Sequence, residues 1–293
     1  MLKSKMVREI LDVLKPPKNI KAFWDKFKQP WVQAVLITLI SSIFQRLTGP
    51  TYPIRGKFEI NQSTIRYKLA RSHAGSEDHQ VKIEVPDTTL SGRLIYKRYK
   101  TDDPWTTVPM TRDSVYLVAK LPHQPPAGKL MYKINLFGCN QPISLPEDKP
   151  IIIRFRGAVP AVVLLPHIFL MFFAMLLSNR AGLEALNKER NPRIYALWAT
   201  GLLFAGGMLL GPIVQKLAFG EFWSGIPFGH DLTDSKTLIA MIAWIAAVIA
   251  GRGGKPARGW VLTAAIILLV IYLIPHSLLG SELDYSKMAP PSE

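Results

Sequence analysis

Three histidines stand at or near the ends of long apolar stretches: His167 after Pro166, His230 before Asp231, and His276 after Pro275. Neutral imidazoles from two helices can hold haem iron, and a histidine can also serve a quinone. Ionisable groups within apolar spans are costly and are functional by default. Helix rise limits the pairing: His167 falls about 12 Å below the end of its stretch and His276 only about 5 Å, so a shared haem needs tilted or kinked helices. The plainer roles are a hydrogen bond from His167 to a carbonyl freed by proline, and an interfacial position for His276. The cofactor candidates are therefore His167, His230, Asp231 and His276, with haem, metal or quinone as the group. A second cluster lies in "RSHAGSEDH", Arg71–His79. His73, Asp78 and His79, with Glu77, are residue types that ligate zinc or copper. Their spacing matches no standard metal site, and an exposed hairpin loop is the alternative.

The segment "FWSGIPFGHDLTDSKT", Phe222–Thr237, links two apolar stretches. Phe222, Trp223 and Phe228 suit an aromatic belt at a membrane surface. Gly220, Gly225, Pro227 and Gly229 suit turns. Asp231, Asp234 or Thr233 can cap a following helix. Trp223, Asp231 and Lys236 also resemble the Trp, Asp and Lys of the tryptophan-rich external loop of cytochrome c assembly proteins. The resemblance covers this segment alone, lacks that loop's dense tryptophans, and implies haem handling here.

These groups are positioned by an unusual composition. The chain has 293 residues, 48% hydrophobic, yet carries a formal charge of +15. Apolar residues gather in five runs: Trp31–Leu47, Val159–Ser178, Ile194–Leu217, Leu238–Ala250 and Trp260–Ile274. A bilayer span takes roughly 17–25 such residues. Lysines and arginines concentrate before the first run, around Arg180–Arg193 and around Arg252–Arg258. With five spans, every basic link falls on one side, which the positive-inside rule makes cytoplasmic. The reading is a bacterial-type inner-membrane protein with a cytoplasmic N-terminus and an extracytoplasmic C-terminus. Charge distributed this way points to lipid and envelope partners and away from nucleic acid. Residues 1–30 carry Ile20, Phe23, Trp24 and Phe27 at helical spacing among lysines. That pattern predicts a basic amphipathic segment on anionic inner-leaflet lipid.

Between the first two runs, residues 49–156 change to period-two alternation, as in Val81, Ile83 and Val85 or Leu130, Tyr132, Ile134 and Leu136. Turn clusters separate seven or eight short strands. The spacing is similar to an immunoglobulin or fibronectin-type module, without an internal disulfide, since Cys139 is the one cysteine. The expected fold class is thus about five transmembrane helices plus an extracytoplasmic all-β sandwich inserted between spans 1 and 2. The expected division is 1–30, span 31–48, sandwich 49–156, a four-helix domain 157–280 and an outer tail 281–293. Spans two, four and five read as free of charged residues, which disfavours ion-coupled transport. Gly207 and Gly211, and Ala243, Ala247 and Gly251, offer small-residue steps for helix packing. No nucleophile–base set or phosphate loop is recognisable. The leading expectation is a non-enzymatic membrane subunit or scaffold whose outer domain binds an envelope component. A cofactor-handling membrane protein is second and a transporter third.

Overall fold

The computed structural model describes residues 29–60, 63–138, 142–147, 149–275, 278, 280 and 282–287. The expected amphipathic segment before residue 29, Cys139 and His276 lie outside these residues.

Helix α1, Pro30–Thr48, comes first. Eleven strands come next: β1 Ile54–Ile60, β2 Ser63–Leu69, β3 Ser72–Ala74, β4 His79–Glu84, β5 Ser91–Arg98, β6 Thr106–Pro109, β7 Thr111–Asp113, β8 Tyr116–Leu121, β9 Lys129–Phe137, β10 Ile143–Leu145 and β11 Ile151–Arg156. They form a five-stranded sheet, β1-β2-β4-β8-β7, and a six-stranded sheet, β3-β11-β9-β5-β6 with β10 on β9. Alternation builds the core between them. Val81 and Ile83 point inward from β4, and Leu130, Tyr132, Ile134 and Leu136 point inward from β9; all are buried in one apolar cluster. Each fully buried side chain such as Leu94 contributes roughly 1.5–3 kcal/mol. The Tyr132 hydroxyl, carried into this core, donates to the Ala70 carbonyl at 2.8 Å.

The helical body completes the chain: α2 Ala161–Leu186, α3 Arg193–Phe219, α4 Leu232–Ala250 and α5 Arg258–Leu273. A π-helical segment, Phe204–Leu210, interrupts α3. Small residues line the interior, including Ala174, Ala181, Ala199, Ala240, Ala247 and Ala264 around Trp244. Large apolar residues face outward and stay exposed, among them Ile40 on α1, Phe169 on α2, Trp198 on α3, Ile242 on α4 and Ile266 on α5. Helices α1 to α4 are long and apolar enough to cross a bilayer. Helix α5, with 16 residues, spans about 24 Å, short of the ~30 Å hydrocarbon core.

The expected fold class is corrected on this architecture. The strands, 54–156, precede the helical body and only α1 comes before them, so the β unit is not a sandwich inserted between spans 1 and 2. Hydropathy treats the first two apolar runs as successive members of one helical set, whereas the strands form a unit with a core of their own. Nor is that unit an antiparallel module of seven or eight strands: β3 pairs parallel with β11.

The helices run past the charge-free stretches that mark them in the sequence. Helix α4 begins at Leu232 and contains buried Asp234 and Lys236, and α2 runs through buried Arg180 and Glu184. Hydropathy stops at these residues, but each charge has partners that let the helix continue.

Candidate functional site

The link between α3 and α4 folds back on the start of α4. Asp231 is the N-cap, its carboxylate accepting from Thr233 N at 2.7 Å. This offsets donors that a helix N-terminus leaves unpaired. Asp234, in the first turn, accepts from Ser224 N at 2.7 Å. Ser235 Oγ accepts from Ile226 N at 3.1 Å and donates to the Asp231 carbonyl at 2.8 Å. Trp223 Nε1 donates to the Ile226 carbonyl at 3.1 Å. Ser224 Oγ accepts from Gln215 Nε2 at 2.8 Å and donates to Asp234 at 3.2 Å, so it is engaged structurally.

Lys236 is 3% exposed and donates to the Ile274 carbonyl at 2.9 Å. Gln45 Nε2 donates to the Tyr272 carbonyl at 2.6 Å. Two side chains from distant parts of the chain thus satisfy carbonyls left open at the end of α5. A cation there also complements the helix dipole. Together they tie α1, α4 and α5 at the end nearest the β unit.

The β unit meets this end directly. Gly157 N donates to the Ala218 carbonyl at 2.9 Å. Arg154 of β11, 6% exposed, stacks its guanidinium 4.0 Å from the Phe219 ring centroid. Burial pushes the Arg154 pKa down, while the charges of Asp231 and Glu282 oppose that shift. A cleft of about 380 Å³ opens here, lined by Gln215, Glu221, Ser224, His230, Asp231 and Glu282. Its carboxylates and imidazole suit a cation or a hydrogen-bond donor.

The six-stranded sheet itself is strongly basic. Strands β5, β9 and β11 carry Arg93, Lys97, Arg98, Lys129, Lys133, Arg154 and Arg156 and no acidic residue. Arg93, Lys97 and Lys133 alternate with core-facing Leu94, Tyr132 and Ile134, which puts them on the outer face. Half-buried Ile95, Met131 and Phe137 share that face. Exposed Trp105 sits beside it, with Lys97 Nζ at 5.5 Å and Lys133 Nζ at 5.9 Å from its ring.

The histidine candidates separate. His167 Nδ1 donates to the Gly206 carbonyl at 2.9 Å, in the π-helical segment of α3. That carbonyl belongs to the neighbouring helix, where it also accepts from Gly211 N, and is not one freed by Pro166. His230 and Asp231 line the seam cleft, and His276 lies outside the described residues. In the β unit, His73 and His79 do meet, their Nδ1 atoms 3.2 Å apart. Asp78 turns away and accepts from His123 N at 2.9 Å. Among the described residues, no group of three or more side chains of metal-ligating type comes together.

Sequence reasoning missed Arg154, Gln45 and Glu282. An arginine within the apolar run Ile151–Phe155 was the one available signal. The others depend on contacts between remote parts of the chain. Comparison with known proteins finds no family model and no curated protein that matches this chain. Trp223, Asp231 and Lys236, which carry the likeness to a haem-handling loop, each serve a structural bond here.

Proposed function

We propose that this chain is an integral membrane scaffold or complex subunit, with its β unit on the extracytoplasmic side binding an acidic envelope component. The observation that carries the reading is the outer face of β5 and β9, where Arg93, Lys97 and Lys133 stand on strands with no acidic residue and with exposed Trp105 beside them. Apolar and aromatic residues between cations favour a protein partner, because aromatic and arginine anchors carry interface energy while charge steers encounter. The inside-out helical body supports the membrane placement: small residues within and large apolar ones outside is how helices pack in lipid. Both basic links lie at one end, where Arg258 Nη2 donates to the Lys188 and Arg190 carbonyls. The β unit adjoins the other end, which supports an outside position for it under the positive-inside rule. Its Gly157–Ala218 bond and Arg154–Phe219 stack make it a platform fixed on the helices.

The test uses the full chain expressed in a bacterial host. On a Cys139→Ser background, Thr107→Cys is expected to react with an impermeant thiol reagent added outside intact cells, and Arg252→Cys is not. Lys97→Glu/Lys133→Glu is expected to cut recovery of a co-purified partner on the order of tenfold in mild detergent, with stronger retention at low salt. Reversed labelling overturns the placement. Recovery unchanged by charge reversal and by salt overturns the basic face as the binding surface.

A further inference from the structure

A second concavity lies beside the Arg154–Phe219 stack, about 410 Å³ in volume, within the range of small-molecule sites of roughly 300–1,000 Å³. Five cationic residues line it: Arg46, Lys68, Arg71, Arg154 and Arg156. No carboxylate lines it. Three parts of the fold converge to make it. Arg46 comes from the last turn of α1. Lys68 and Arg71 come from the end of β2 and the link to β3. Arg154 and Arg156 lie two apart on β11, so they share a sheet face. The parallel pairing of β3 with β11 fixes the set, with Arg154 opposite Ser72 and Arg154 N donating to the Arg71 carbonyl at 3.1 Å.

Bringing like charges together is unfavourable unless an anion or water offsets it. Among the described residues, Arg46, Lys68, Arg71 and Arg156 form no ion pair. Burial pushes the Arg71 pKa down. Guanidinium groups present forked donors that match the oxygens of phosphate. Ser72 lies on the same wall and adds a hydroxyl. The mouth adjoins the end of α1 and Phe219 at the end of α3. In the membrane placement proposed above, on which the lipid source rests, those helix ends lie at headgroup level.

The geometry points to a phosphate-binding site in this pocket, formed by Arg46, Lys68, Arg71, Arg154 and Arg156, that takes either the phosphate of an anionic lipid headgroup or a free phosphate group. This binding function is separate from the basic outer face of the sheet and calls for no covalent step.

The test compares the full chain in nanodiscs of phosphatidylcholine with and without phosphatidylglycerol, and in detergent with inorganic phosphate. Bound lipid is counted by native mass spectrometry, and phosphate binding is read by calorimetry. Arg71→Gln/Arg156→Gln is expected to lose retained phosphatidylglycerol, or to weaken phosphate binding, by about tenfold or more. Arg71→Lys/Arg156→Lys, which keeps the charge, is expected to fall between the wild type and the glutamine pair. Phosphatidylglycerol retained by the wild type and lost in the glutamine pair assigns the lipid source. Binding of inorganic phosphate alone assigns the free anion. Wild-type protein that binds neither, or equal binding in all variants, overturns the site. The phosphate arm needs no bilayer, so failure of the membrane placement in the labelling experiment stays distinguishable from failure of this site.

Discussion

His73 and His79 show what side-chain geometry adds to a residue list. His73 Nε2 donates to the Glu77 carbonyl at 2.8 Å, which leaves its Nδ1 as the acceptor facing His79 Nδ1 at 3.2 Å. His73 also packs edge-on against Phe155, with centroids 5.6 Å apart. Burial first, and then the charge on His73, push the His79 pKa down to about 4. An unfolded histidine titrates near 6.5, so between those values the unfolded chain binds more protons than the folded one. The contribution is fully present above about pH 6.5 and is lost as pH falls toward 4. Melting of the purified chain at pH 7 and pH 4.5 is therefore expected to differ, with His79→Gln reducing that difference by ~2–4 °C. An equal difference in the variant would remove His79 as the cause. Zinc at stoichiometric concentration tests the ligand reading at the same residues: a metal held by the two imidazoles would raise the melting point of the wild type and not of His79→Gln.

At the scale of elements, helix α2 shows how a charge can be accommodated inside an apolar run. Arg180 donates to Glu184 one turn on, and both side chains are buried. The Arg180 guanidinium also lies 4.5 Å from the Tyr195 ring centroid and 5.4 Å from that of Trp31, so α1 and α3 cover it. Removing one member of such a pair strands the other. Arg180→Ala is expected to cost about 3–5 kcal/mol, whereas Arg180→Met/Glu184→Leu recovers most of the loss. Reversible unfolding of the three proteins in detergent checks this; a single variant as stable as the double would mean Glu184 reaches water or Arg190 instead. The same pair explains why the end of α2 was not legible: hydropathy stops at Ser178, but the helix continues to Leu186. Helix α4 likewise starts at Leu232 and not at Leu238, because Asp231 caps it and Lys236 is satisfied by α5. Long strands such as β4 and β9 were legible from alternation. Strands β3, β6, β7 and β10, with three or four residues each, are too short to show a period. At the seam, the Asp231 cap could be read locally. Arg154 on Phe219 and Gln45 on Tyr272 could not, since chain separation hides them.

At the scale of the molecule, the β unit is tied to the C-terminal half of the chain twice, once at Gly157 and once by the segment after α5. Glu282 bridges Lys100 and Lys129, each at 2.6 Å. Burial works against the charged Glu282, but hydrogen bonds from both lysines outweigh it and lower its pKa. Leu283 N donates to the Ala127 carbonyl at 3.2 Å, and the Tyr285 hydroxyl accepts from Lys129 N at 2.9 Å. The lysine bridge, with Lys100 exposed, is worth little by itself, so the buried tyrosine should decide whether the strap holds. Tyr285→Phe keeps the ring under Arg98, whose guanidinium lies 5.1 Å from the Tyr285 centroid, and removes only the hydroxyl bonds. The expected loss is about 1 kcal/mol, or roughly fivefold faster exchange of the Leu283 amide. Glu282→Gln is expected to change that rate by less, and neither variant should alter exchange in α2 or α4. Hydrogen exchange resolved by peptide reads all three regions at once. Faster exchange at Leu283 with an unchanged β9 would mean the strap opens by itself. Faster exchange in β9 and at Gly157 as well would mean that the strap and the seam open together, so that the platform holding the basic face and the five-cation pocket depends on both attachments.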